Sequence, residues 1–245
     1  MNNIVILGAT SAIAQAVARK LASPQRNFLL VGRNEDRLTS VAADLGTRGV
    51  TNTEILTVDL CDTDSHQSIL ARAIEVLGSI DLIVIAHGTL PEQEVLQSSY
   101  PATLQCLQEN ALSVISVATV FANYFDDCGA GSLVVISSVA GDRGRQSNYV
   151  YGTAKGAVST FMQGLRNRLH GRGVHVLTVK PGLVATPMTA RFEKGVLWAS
   201  PDTVATDIVR AIEKRRDVIY TPFFWRYIML IIRAIPESLF KRMKL

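Results

Sequence analysis

Cysteine is scarce in this chain of 245 residues: Cys61, Cys106 and Cys128 are the whole set. An odd count without metal-like spacing excludes a disulfide framework and a zinc site. Charge is also low, at 19% against 48% hydrophobic residues, which excludes a disordered chain and a coiled coil. Glycine and proline form no rich stretch, and no segment repeats at a period of about 20 to 50 residues, so collagen, linkers and solenoids are excluded. Missing too is a basic stretch leading into a long apolar run at the start: Met1 to Gly8 passes from two asparagines straight into an apolar strand. That predicts a chain not exported by a signal peptide, and a cytoplasmic location.

Excess charge of one sign is absent from most of the chain. From Phe223 onward there are five bases, Arg226, Arg233, Lys241, Arg242 and Lys244, and one acid, Glu237. The preceding 222 residues hold 20 bases and 20 acids. A neutral body gives no electrostatic ground for a nucleic-acid partner, and none is expected; the basic, aromatic end raises instead the question of a membrane surface.

What the chain does have is alternation. Short runs of Val, Ile and Leu at 4–7, 28–31, 54–58, 82–86, 132–137, 175–179 and 218–221 are nearly continuous in apolar residues, as for parallel strands covered on both faces. Helical patterns lie between them at 12–22, 34–46, 64–77, 102–125, 150–171 and 202–215. Seven strands with six intervening helices predict an α/β doubly wound parallel sheet, residues 1–222, followed by an apolar, basic helical tail, residues 223–245.

In such a sheet, ligands bind at the carboxyl ends of the strands. After the first strand, Gly8, Ala9, Thr10, Ser11, Ala12, Ile13 and Ala14 lead into a helix whose free amides and positive dipole end suit a pyrophosphate. Gly8 permits the tight turn, but alanines stand at 12 and 14 where a dinucleotide fingerprint prefers glycine. An ordinary helix start capped by Thr10 or Ser11 fits the same residues. The second strand ends at Gly32-Arg33, where a guanidinium suits a 2′-phosphate and favours NADP(H) over NAD(H), unless Arg33 is a solvated surface residue. Asp59 either accepts a hydrogen bond from an adenine amino group or caps a turn, and Asp62 is the better helix cap. In Ala86-His87-Gly88 the glycine lets backbone pass close to a cofactor, and His87 is read as structural rather than as a general acid.

Tyr151 and Lys155 stand four residues apart on one helical face, where an ammonium can stabilise a phenolate. Six tyrosines and seven lysines make this spacing weak evidence by itself. Ser138, thirteen residues before Tyr151, ends the fifth strand and can hydrogen-bond a carbonyl oxygen from the opposite side. Asn110 lies among Leu107, Ala111, Leu112 and Val114; by itself it reads as a surface or helix-kink asparagine.

Together these residues resemble the short-chain dehydrogenase/reductase family over about residues 1–222: the turn from Gly8, Asp59 with Leu60, Ala86 to Gly88, Asn110, Ser138, Tyr151 to Lys155, and Pro181-Gly182 followed by Thr186. The resemblance implies a Rossmann-like fold and an NAD(P)-dependent oxidoreductase acting on a carbonyl or alcohol substrate by hydride transfer. It implies Tyr151 as proton donor and Ser138 as the residue that polarises the carbonyl. Lys155 would hold the nicotinamide ribose and lower the tyrosine pKa, and Asn110 would hold a proton-relay water. Gly8, Thr10, Ser11, Ala12, Ile13, Arg33, Asp59, Leu60, Ala86, Gly88, Tyr151, Lys155, Pro181, Gly182 and Thr186 would border the cofactor.

Arg143 and Arg145, between Ser138 and Tyr151, are candidates to grip an anionic substrate group; solvated charges or a pair with Asp142 are the plainer alternatives. The segment 191–198, with Phe192 and Trp198, is expected to cover the substrate pocket. The stretch between Pro222 and Pro236 is thirteen residues, about 20 Å as a helix against roughly 30 Å of hydrocarbon, so it is expected to lie in an interface rather than to span. Burial against the body or a second subunit explains it equally, and a homo-oligomer is expected. The arginine loop, the turn at 86–91 and the tail also resemble a narrower group, reductases of a polyprenylphosphoryl 2-keto-pentose. That implies a lipid-linked keto-sugar and peripheral attachment at the inner face of the membrane.

Overall fold

The computed structural model describes residues 1–243. Seven strands, β1 (Asn3–Leu7), β2 (Asn27–Gly32), β3 (Asn52–Thr57), β4 (Leu82–Ile85), β5 (Gly131–Ile136), β6 (Val174–Pro181) and β7 (Val218–Thr221), form one parallel sheet in the order β3-β2-β1-β4-β5-β6-β7. The helices are α1 (Ala12–Leu21), α2 (Glu35–Thr47), α3 (His66–Leu77), α4 (Gln93–Ser98), α5 (Tyr100–Leu107), α6 (Ser113–Cys128), α7 (Tyr149–Arg168), α8 (Pro201–Glu213), α9 (Trp225–Ala234) and α10 (Glu237–Phe240).

The pleat divides each strand between two cores. Ile4, Ile6, Phe28, Leu30, Leu82 and Val84 face α1, α2 and α8; Val5, Leu7, Leu29, Val31, Ile83 and Ile85 face α3, α6 and α7. With both faces covered, alternation disappears from the sequence and the strands read as unbroken apolar runs. Each such buried side chain stabilises the fold by about 1.5–3 kcal/mol. Strand order reverses between β1 and β4, which opens a crevice at the carboxyl ends of the strands.

The expected sheet is present with all seven strands. The single helix expected at 102–125 is instead α5, a π turn at Gln108–Leu112, and α6. A π turn inserts one residue without interrupting the apolar pattern, so periodicity does not reveal it. The six-residue α4 was too short for its period to register.

In the tail, α9 buries Trp225 and Met229 against Val139 and leaves Tyr227, Leu230 and Ile231 exposed. Among the described residues no helix is long and apolar enough to cross a membrane. Lys244, one of the tail's bases, lies outside the described residues.

Candidate active site

The crevice is a cleft of about 930 Å³ that runs from Arg33 and Arg37 at one end to Tyr151 and Trp225 at the other. Gly8, Thr10, Ser11, Ala12, Ile13, Arg33, Asp59, Leu60, Ala86, Gly88, Pro181, Gly182 and Thr186 all line it. Gly8 has φ +73°, and a Cβ there would lie 2.6 Å from the His87 backbone nitrogen, so the turn requires glycine. Ser11 caps α1 by accepting from the Ala14 amide at 3.2 Å, which leaves the Ala12 and Ile13 amides at the open helix end without a backbone partner. Asp59 accepts from the Cys61 amide at 3.0 Å, and Asp62 caps the short turn after it.

The catalytic end is assembled by Gly88, whose φ is +148°. A Cβ at this position would lie 2.6 Å from Asn110 Oδ1 and 3.5 Å from Lys155 Nζ, so the missing side chain is what lets the two groups converge. Asn110 sits in the π turn, fully buried. Its Oδ1 accepts from the Thr89 amide at 2.9 Å, and its Nδ2 donates to Cys106 O at 3.0 Å and Thr89 Oγ1 at 3.2 Å. Both amide hydrogens are therefore engaged within the protein.

Ser138 caps the turn Val139–Asp142, accepting from the Ala140 amide at 3.1 Å, and its hydroxyl stands beside the Tyr151 phenol. Lys155 donates to Ile136 O at 3.3 Å and lies 5.7 Å from the centre of the Tyr151 ring. Burial pushes the Tyr151 phenol up to about 12, opposed by the Ser138 hydroxyl beside it. The same burial brings the Lys155 ammonium down to about 8. Burial dominates at Tyr151, and the group that opposes it is the Ser138 hydroxyl; Lys155, expected to lower the phenol pKa, is not among the resolved influences on it. His87, which also lines the cleft, is drawn by burial down to about 3 and is held by Ser113 Oγ at 3.0 Å, so its ring is neutral.

Two other expectations need correction. Arg143 is not in the cleft: it donates to Ile232 O and Ile235 O, each at 2.6 Å, and to Glu237 at 3.0 Å, and lies 3.7 Å above the Phe240 ring. It fastens the tail. Asp142 pairs with Lys180, not with an arginine. Arg145 does line the cleft, with its Nε buried and unpartnered and no carboxylate paired to it among the described residues. Phe192 lines the cleft, but Trp198 does not. Missed by sequence reasoning were Gln93, Trp225 and Arg37. The last stands in the first turn of α2, four residues after Arg33, which precedes the helix and its Asn34 cap.

These features fit a dinucleotide: backbone hollows at Gly8 and Gly88 that a Cβ would fill, a helix N-terminus with free amides, and two arginines at the ribose end. A short chain dehydrogenase model matches residues 2–196. An uncharacterized oxidoreductase of Mycobacterium tuberculosis is 33% identical over 240 residues, covering 98% of this chain and 96% of that one. Another from Streptomyces coelicolor is 32% identical over 244 residues, covering 98% and 95%. Actinorhodin polyketide ketoreductase, solved as a variant with NADPH, superposes with a TM-score of 0.81 at 21% identity, covering 91% of this chain and 97% of that one. The chain belongs to the short-chain dehydrogenase/reductase family and is an NAD(P)-dependent oxidoreductase.

Proposed function

We propose that this enzyme reduces a ketone to a secondary alcohol with NADPH as its reductant, Tyr151 giving the carbonyl oxygen its proton. The observation that carries the reading is the meeting of Ser138, Tyr151 and Lys155 at one end of a cleft whose other end holds Arg33 and Arg37. The bound dinucleotide supplies the hydride. Arg33 and Arg37 would hold its 2′-phosphate, and the Ala12 and Ile13 amides its pyrophosphate. Ser138, fixed by the Ala140 amide, directs its hydroxyl hydrogen to the carbonyl oxygen. Tyr151 keeps its proton at neutral pH and releases it to an oxygen that becomes strongly basic. Lys155, charged at neutral pH, offsets the negative charge left on the phenol. Asn110 braces α5 against the Thr89 loop, and a relay water would use the remaining lone pair on Oδ1. Tyr151→Phe should lower kcat by about 10² to 10⁴ while cofactor affinity, read by calorimetry, stays unchanged. Near-full carbonyl reduction by this variant refutes the assignment.

Arg145 supports a substrate with an anionic group, since burial disfavours its unpaired charge. The exposed face of α9, with Arg226 and Arg233 on the same helix and also exposed, suits an anionic bilayer surface. Together they favour a lipid-linked keto-sugar phosphate as substrate, residues 1–222 acting as the catalytic unit and 223–245 as a peripheral anchor on the inner face of the membrane. Binding to anionic vesicles, lost in Leu230→Glu, tests the anchor. The same exposed face favours a second reading, a reductase of small ketones with α9 between copies of a homo-oligomer. Sedimentation as a dimer that ignores vesicles would select it.

A further inference from the structure

We propose that Trp225, contributed by the C-terminal arm, is a specificity-determining residue of the carbonyl site. This rests on the reading above in taking the cleft end at Tyr151 as the carbonyl site. Trp225 opens α9, is 5% exposed, and nevertheless lines the cleft. A methyl group added at Gly182 would fall within its indole ring, so the indole lies directly over the backbone that follows Pro181. Glycine at 182 is therefore demanded by the arm and not by backbone torsion, because its φ is not among the positive ones.

The wall is fixed at both ends. At its start the Gly182 amide donates to Thr221 O at 3.0 Å and the Trp225 amide to Pro222 O at 3.1 Å. At its far end Arg143 gathers the last carbonyls of α9 and the side chains of Glu237 and Phe240. Because Arg143 stands five residues after Ser138, the loop from the catalytic serine and the helix bearing Trp225 are tied to each other. The family match ends at residue 196, so this wall is supplied by a segment outside it. A rigid indole beside the carbonyl site limits the bulk of the substrate's apolar portion and contributes contact area to smaller ones.

The test is a graded series of aliphatic and aryl ketones with NADPH. In Trp225→Ala, KM for the smaller ketones should rise at least about tenfold and kcat/KM for the bulkiest should gain by a similar factor. The kcat for a small ketone and its pH profile should be unchanged, since Tyr151 is untouched, and Trp225→Phe should restore much of the parent selectivity. Unchanged selectivity in a folded Trp225→Ala protein overturns the proposal.

A second measurement does not need turnover. In a Trp198→Phe background Trp225 is the one remaining tryptophan. Saturating NADPH should quench its fluorescence by energy transfer to the reduced nicotinamide, equally with Tyr151→Phe added. Undiminished emission, with cofactor binding shown by calorimetry, overturns the placement. A parent enzyme that reduces no ketone refutes the function proposed above, while undiminished emission separately excludes Trp225 from the cofactor's surroundings.

Discussion

Replacing Asp142 by asparagine keeps the side chain's size and removes its charge. Asp142 Oδ1 lies 2.5 Å from Lys180 Nζ, with side-chain exposures of 3% and 8%, and the Tyr220 hydroxyl donates to Oδ2 at 2.7 Å. In the variant the Lys180 ammonium stays buried without its anion. Removing one partner of a buried pair costs about 3–5 kcal/mol. For a chain of this size each kcal/mol moves Tm by about 2–4 °C, so a fall of about 6–20 °C is expected. Lys180→Met in the Asp142→Asn background removes the stranded charge and should recover most of the loss, because an apolar replacement of a buried pair is often near neutral. Thermal melts at neutral pH of the parent, both single variants and the double variant form a closed cycle. A single variant melting within about 2 °C of the parent, or a double variant that falls by the sum of the two single losses, refutes the reasoning. The pair also ends the turn that Ser138 begins, so kcat should fall with stability in the single variant and recover in the double.

Lys155 is brought down to about 8, so its charge is present below that pH and lost above it. The kcat/KM for reduction should hold at neutral pH and decline as pH rises through about 8; in Lys155→Arg that limb should move upward, and a limb that stays in place assigns it to another group. Arg33→Ala and Arg37→Ala each remove a charged donor worth about 1.5–3 kcal/mol to a phosphate, so KM for NADPH should rise about ten- to hundredfold with NADH little affected. A parallel rise for both cofactors shows that these arginines do not read the 2′-phosphate. Gly88→Ala combines a backbone strain of about 1–3 kcal/mol with a methyl group against Asn110 Oδ1. It should lower both Tm and kcat, and unchanged turnover removes Gly88 from the organisation of the site.

The sheet was legible because burial on both faces makes each strand a continuous apolar run, and that signal is local. Tyr151 and Lys155 were legible because a helix converts a spacing of four into a shared face. Arg143 was not: the carbonyls it binds belong to residues 232 and 235, and nothing near position 143 announces them. Trp225 was hidden for the same reason, since an aromatic residue opening an apolar stretch looks like core or membrane contact until the fold sets it over Gly182. Asn110 read as a helix kink or surface residue; the π turn made it a fully buried brace, an outcome that depends on Thr89 and Cys106 arriving beside it.

The proposed direction, reduction, is favoured by the same burial that fixes these residues. Abstracting a proton from an alcohol at neutral pH needs the phenolate of Tyr151. Bringing that phenol from about 12 to about 7 requires ~7 kcal/mol of added stabilisation of its anion. The Lys155 ammonium, 5.7 Å from the ring centre, supplies about 3 kcal/mol at an effective dielectric of ~20. The Ser138 hydroxyl adds nothing further, since its hydrogen bond already opposes the rise to about 12. That leaves a shortfall of about 4 kcal/mol, and above pH 8 Lys155 begins to lose the charge that supplies its share. Proton donation meets no such deficit, because the phenol is already in its acid form. This burial therefore favours the proposed reduction at neutral pH over the reverse oxidation, which needs further stabilisation of the phenolate.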